Sequence, residues 1–168
     1  MAFFRSANFT EPATTIVGDG VELRAPSMAD YAEWAELRAR SRDFLTPWEP
    51  TWPADDLARG AFRRRLRRYA DDQRADLAYA FLLFRTNDSV LLGGLTLANV
   101  RRGVAQAATL GYWMGAPYAG QGYMTAALHA VLPFAYGALR LHRVEAACIP
   151  TNRASIHLLE KTGFEREG

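Results

Sequence analysis

The chain has 168 residues, 49% of them hydrophobic and 12% aromatic, enough for one sizeable core and too apolar for a disordered or fibrous chain. A formal net charge of +2 excludes a polyanionic or polycationic protein. The single cysteine, Cys148, excludes an intrachain disulfide, and His129, His142 and His157 lie in no metal-ligand spacing. A reducing, cytoplasmic setting is expected: Met1 to Ser6 lacks the apolar core of a signal peptide, and the longest apolar stretch, after Met124, is interrupted by His129 and Pro133.

Residues 1–20 end in Gly18-Asp19-Gly20 and read as a lead-in to one domain over 21–168. Val21 to Arg24 is a short strand. Ser27 is an N-cap with Asp30 at the capping-box position, so a helix follows, with Tyr31, Trp34, Ala35 and Arg38 at helical spacing and an end near Arg42. Phe44 to Pro53 holds three prolines and two tryptophans, which excludes regular helix and a central strand. This stiff aromatic loop either packs Trp48 and Trp52 on the core or forms a wall of a substrate pocket.

Asp55-Asp56 opens an arginine-rich helix that runs to about Ala70, followed by a polar connection to Ala75. Because Arg63, Arg64, Arg65, Arg67 and Arg68 surround this helix, they read as a solvated surface, and no direct nucleic-acid contact is expected. Tyr79–Arg85, Val90–Val100 and Ala107–Met114, separated by turn residues, form an antiparallel meander. A turn containing Pro117 leads through Gly120 and Gly122 into a helix from Tyr123 or Met124 to about Leu139. That helix is apolar on nearly all sides and therefore expected to be buried, with a kink from Pro133 near His129.

Arg143 to Ile149 reads as a strand, Pro150-Thr151-Asn152 as a turn and cap, and Ala154 to Lys161 as a helix closed by Gly163. A helix joining two neighbouring strands implies a parallel crossover. The fold class is mixed α/β (α+β): a mostly antiparallel central sheet with flanking helices.

The stretch Leu110 to Leu128 is a strand, a glycine loop and a helix N-terminus. The first amides of a helix lack intrahelical partners and carry the positive end of its dipole, so glycines just before them let a phosphate reach the bare backbone. The simpler alternative is a tight turn built on left-handed glycines.

Three stretches resemble the GNAT superfamily of acyl-CoA-dependent N-acetyltransferases, and within it the RimJ/RimL type that acetylates protein N-termini. They are Leu110 to Leu128; Leu141 to Ala146 with Asn152-Arg153-Ala154-Ser155 and Leu158 to Phe164; and Phe44 to Pro50. The family's cofactor loop, Gln/Arg-x-x-Gly-x-Gly/Ala, aligns with Ala119-Gly120-Gln121-Gly122-Tyr123-Met124. Ala119 and Met124 depart from it, at positions where backbone amides make most of the contacts.

The resemblance implies a GNAT fold in which the fourth and fifth strands, here Thr109 to Met114 and Arg143 to Ile149, splay apart in a V that holds acetyl-CoA. It further implies that pantetheine lies along Tyr112, Trp113 and Met114 and the pyrophosphate on the amides of Ala119 to Met124, with a backbone amide near Trp113 or Met114 as oxyanion donor. Asn152 is carried over as a pantetheine contact and Ser155 as thiol partner or general acid. On spacing alone Asn152 or Thr151 is a helix cap and Ser155 a first-turn residue.

Glu167 is the candidate general base, with Glu49 or water as alternatives, and Trp48 and Glu49 are the candidate substrate-binding residues. Cys148 reads as a small core residue, because direct attack needs no acyl-enzyme. The expected acceptor is a protein N-terminus, with a ribosomal protein as the family's favoured substrate. The alternatives are a small amine (polyamine, amino acid or aminoglycoside) and a non-catalytic acyl-CoA-binding module. The resemblance also implies two more strands after Phe164, whereas the sequence ends at Gly168. The domain is therefore expected to be C-terminally incomplete, and an open sheet edge would favour a homodimer.

Overall fold

A computed structural model describes residues 14–168; residues 1–13 of the lead-in lie outside the described residues. The end of the lead-in is part of the sheet: β1 (Ile16–Val17) pairs antiparallel with β2 (Val21–Arg24) across a tight turn in which Gly20 takes φ +71. The Asp30 carboxylate then accepts the Ser27 amide at 2.8 Å and both terminal nitrogens of Arg24 at 2.8 and 2.9 Å. This capping box starts a 3-10 turn (Met28–Asp30) that continues into α1 (Tyr31–Arg40).

The expected single helix to Arg42 is broken at Ser41, and a second short helix, α2 (Arg42–Leu45), absorbs the Phe44-Leu45 start of the aromatic loop. The arginine helix, α3 (Arg59–Arg74), begins one turn later and ends one turn later than its composition suggested. Its outer arginines are solvated, while Phe62 is buried and Leu66 half-buried on the inner side.

β3 (Tyr79–Arg85), β4 (Leu91–Arg101) and β5 (Ala107–Met114) form the expected meander. α4 (Tyr123–Gly137) crosses over to β6 (Arg143–Ala146), which is followed by α5 (Arg153–Lys161). The sheet order is β1-β2-β3-β4-β5-β6, antiparallel except for the parallel β5–β6 pair that α4 connects. No strand follows α5 among the described residues.

The sheet is covered on both faces, which is why the five inner residues of β3 are all buried. On one face α4 and α5 pack over Val21, Leu23, Leu83, Leu92 and Leu110. On the other, Trp34 and Leu37 of α1 and Phe62 of α3 pack over Leu82, Phe84 and Leu91. The reading of α4 as buried all round needs correction. Met124, Ala127, Leu128, Val131 and Ala135 face the sheet, but His129 and Tyr136 are exposed, because α4 forms an outer layer rather than a central rod. Among the described residues no helix is long and apolar enough to cross a membrane, and no group of three His, Cys, Asp or Glu side chains could hold a metal ion.

Candidate active site

β5 and β6 pair for only four residues. The register runs from Ala107↔Arg143 to Leu110↔Ala146 and stops there. β5 continues through Gly111 to Met114, while the chain after Ala146 leaves the ladder, so the strand expected to reach Ile149 ends three residues early. The result is a V-shaped cleft with one wall of unpaired β5 backbone.

Which atoms face the cleft follows from alternation along the strand. The Gln106 carbonyl points toward β6, accepting the His142 amide at 2.7 Å, and the Gly115 amide points toward β4, donating to Leu92 at 2.7 Å. Even-numbered residues therefore direct their backbone groups to the β6 side, which leaves Tyr112 and Met114 open to the cleft and turns Trp113 toward β4.

The end of β5 is held by close packing. A Cβ at Gly93 would stand 2.2 Å from the Trp113 carbonyl oxygen, and one at Gly94 would stand 2.4 Å from the Trp113 indole nitrogen. Both positions need glycine because β5 and its indole press onto β4 there. Beyond Met114, the buried Ser41 hydroxyl accepts the Ala116 amide at 2.9 Å. The break between α1 and α2 thus anchors the loop that leads to the helix.

Gly120 and Gly122 take φ +71 and +86, and Gly122 is the N-cap of α4. Among the described residues, a Cβ at either would meet nothing within 4 Å. Glycine is required here for its backbone angle, and the space in front is open to a ligand. Among the described residues no backbone carbonyl accepts the amides of Gly120 to Met124, so bare donors converge at the positive end of α4. Ala119 is half-buried, the Gln121 side chain folds back to the Pro117 carbonyl at 3.0 Å, and the Met124 side chain is buried in the core. None of these side chains obstructs the amides, and the cradle fits an acyl-CoA pyrophosphate.

Across the cleft, Asn152 caps α5, its side-chain oxygen accepting the Ser155 amide at 3.2 Å. Capping uses only the oxygen, and the Asn152 NH₂ group has no partner among the described residues. The Ser155 hydroxyl is in a short hydrogen bond with the Tyr112 phenol. Burial pushes the Tyr112 phenol above its ordinary range, with the Ser155 bond working the other way and the neighbouring Cys148 adding to the rise. Cys148, half-buried against the core, lies past β6 rather than on it.

Glu167 is elsewhere. Both its oxygens bind Arg143, at 3.0 and 2.6 Å, and Arg143 pairs with Ala107, five residues from Tyr112, or about 16 Å along the strand. Arg143 holds the Glu167 carboxyl below its ordinary range, the opposite of what a base working near neutrality needs. The structure does not bring Glu167 to Ser155. It lines a separate groove of about 640 Å³ on the outer side of β6, with Val144, Leu159 and Phe164.

Glu49 is fully engaged as well. It receives two bonds of 2.8 Å from Arg38 and a third of 2.8 Å from the Trp52 indole. The Arg38 guanidinium is stacked over Trp52 at 4.3 Å and over Trp113 at 4.9 Å. Glu49 and Arg38 line a cavity of about 190 Å³ with Trp34, Arg65, Tyr69 and Trp113. Trp48 is exposed and outside that lining, and Trp52 is the indole that holds Glu49.

This architecture has close relatives. Residues 21–165 match the family model described as an acetyltransferase (GNAT) domain. The chain belongs to the GNAT acetyltransferase family. It is an acyltransferase. The [ribosomal protein uS5]-alanine N-acetyltransferase of Escherichia coli is 31% identical over 157 residues, covering 94% of this chain and 81% of the relative. The structure of Mycobacterium smegmatis RimJ in complex with CoA-disulfide superposes with a TM-score of 0.84 at 30% identity, covering 93% of this chain and 76% of that one. The ribosomal-protein-S5-alanine acetyltransferase of Vibrio fischeri gives 0.85 at 27% identity, covering 92% and 85%. These GNAT proteins share the fold of this chain and place it within the RimJ/RimL branch.

Proposed function

We propose that the protein transfers an acetyl group from acetyl-CoA to the N-terminal amino group of a protein, with a ribosomal protein as acceptor. The observation that carries this reading is the ending of the β5–β6 ladder at Leu110 and Ala146 beside the bare amides of Gly120 to Met124. An extended ligand has free strand edge to pair with there, and its diphosphate has a helix N-terminus. Bound acetyl-CoA supplies an activated acetyl thioester. The Met114 amide is the oxyanion donor, since alternation turns Trp113 away from the cleft. Asn152 holds the pantetheine arm through its free NH₂ group, and Ser155 protonates the leaving sulfur.

The acceptor comes to the Trp113 side, where the 190 Å³ cavity holds one carboxylate, Glu49, already neutralised by Arg38. No surplus negative charge is available there for a polyamine, which favours a peptide amine. That the relatives above are named for acetylating ribosomal protein S5 or uS5 agrees with this choice.

The test is a thermal titration with acetyl-CoA against free adenosine, followed by transfer assays on an N-terminal peptide, the same peptide blocked at its amine, and spermidine. At 100 times Kd, acetyl-CoA should stabilise by about 2.7 kcal/mol, a rise of roughly 5–10 °C for a chain of this size. Acetylation should be confined to the free peptide. No stabilisation would remove the cofactor assignment, and preference for spermidine would move the acceptor to the small amines.

A further inference from the structure

The Ser155–Tyr112 contact is not accounted for by helix capping. Asn152 already caps α5 through the Ser155 amide, and a first-turn serine needs no phenol to be satisfied. Tyr112 stands two residues past the last β5–β6 pair, on the face that α4 and α5 cover. Its hydroxyl meets Ser155 Oγ at the mouth of the cleft into which its own backbone points.

We propose that Tyr112 is the positioning residue behind Ser155: its phenol donates to Ser155 Oγ, turns the serine hydrogen into the cleft, and resupplies the proton that Ser155 gives up. The inference rests on the acetyl-transfer reading above. As the amine nitrogen bonds to the acetyl carbon and the C–S bond breaks with its electron pair going to sulfur, Ser155 passes its proton to that sulfur. Oγ takes the phenol proton, water reprotonates the tyrosinate, and the surplus amine proton leaves to water. The direction of the pair follows from acidity, since a phenol is a far stronger donor than an aliphatic alcohol. Burial keeps the phenol protonated near neutrality, and Cys148 is the titratable group that bears on it among the described residues.

The test uses Tyr112→Phe, which keeps the ring and removes the hydroxyl, with Ser155→Ala as its counterpart. In the ligand-free protein labelled at tyrosine Cζ, the resonance missing from Tyr112→Phe should titrate above the ordinary range. Ser155→Ala should raise it further, because once ionised the phenolate accepts from the Ser155 hydroxyl, and the variant removes that donor. In turnover, Tyr112→Phe should lower kcat about 10-fold, leave KM for acetyl-CoA within about two-fold, and shift the alkaline limb of the kcat–pH profile; a purely packing role would leave that limb in place. An unchanged Tyr112 titration in Ser155→Ala would overturn the proposal whatever the activity, as would full kcat in Tyr112→Phe. A wild-type protein that binds acetyl-CoA, shows the resonance shift and acetylates no amine would instead overturn the transfer reading, and the proton role with it.

Discussion

The two ends of the β5–β6 pair are built from the same two strands and have opposite character. At the closed end, where Ala107 to Leu110 face Arg143 to Ala146, the surface carries a chain of ion pairs. Arg101 binds Glu145 at 3.0 Å, Arg143 binds Glu145 at 2.7 Å, and Arg143 also holds Glu167. Every carboxylate there is held below its ordinary range. At the open end the partners are two neutral hydroxyls, Tyr112 and Ser155, and burial raises the phenol. Arginine-paired carboxylates in solvent are locked in one charge state. The proton transfer proposed above falls at the end where the ladder has come apart and neutral donors are withdrawn from water.

Three substitutions test this division, from the largest effect to the smallest. Gly122→Glu puts a carboxylate among the amides at the start of α4 and should weaken acetyl-CoA binding by about 100-fold or more. Gly122→Ala is its control, since it carries the strain of φ +86 without the charge. Equal calorimetric affinities for the two variants would show that the amides do not hold the diphosphate.

Ser155→Ala should lower kcat roughly 10- to 100-fold with little change in acetyl-CoA affinity. Parallel losses in kcat and affinity would make Ser155 a binding residue only, and the open end would lose its proton donor.

Glu167→Gln is expected to leave turnover within about two-fold between pH 6 and 9, because an exposed ion pair contributes little and the side chain lies far from Ser155. Its effect is on stability, with a defined sign. Arg143 depresses the Glu167 pKa, so the pair's contribution is present above the ordinary carboxylate range and is lost as pH falls through the depressed value. The small difference in melting temperature between wild type and Glu167→Gln at pH 7 should therefore vanish in acid. A loss of kcat above 10-fold, together with the basic limb of the pH profile, would return Glu167 to the reacting centre.

Much of this molecule is legible residue by residue. The glycines at 120 and 122 announced the bare helix N-terminus, and their left-handed angles with open space in front are the geometry that glycine alone supplies without strain. Asn152 is readable as a cap, and capping occupies one of its two polar groups, so the cap leaves the NH₂ group available for the proposed ligand contact. In the structure Leu110 and Tyr112 share one face of β5 and Trp113 takes the other, so they fall in different hydrophobic clusters.

Glu167 and Glu49 show where such reading stops. Both are carboxylates near a matching motif, and both are engaged by arginines distant in sequence: Arg143 is 24 residues away and Arg38 is 11. The same holds for Tyr112 and Ser155, 43 residues apart. A carboxylate's chemistry depends on its partner, and a linear sequence does not name partners.

By itself, then, the sequence determined the strand and helix order, the parallel crossover and the place of the bare helix N-terminus, because these follow from periodicity, glycine angles and unpaired helix amides over a few neighbouring residues. Only the tertiary structure decided that the β5–β6 ladder ends at Leu110 and Ala146, that Met114 rather than Trp113 opens its amide to the cleft, and that a tyrosine stands behind Ser155. Those choices depend on register and on contacts between segments far apart in the chain, which local propensity does not encode.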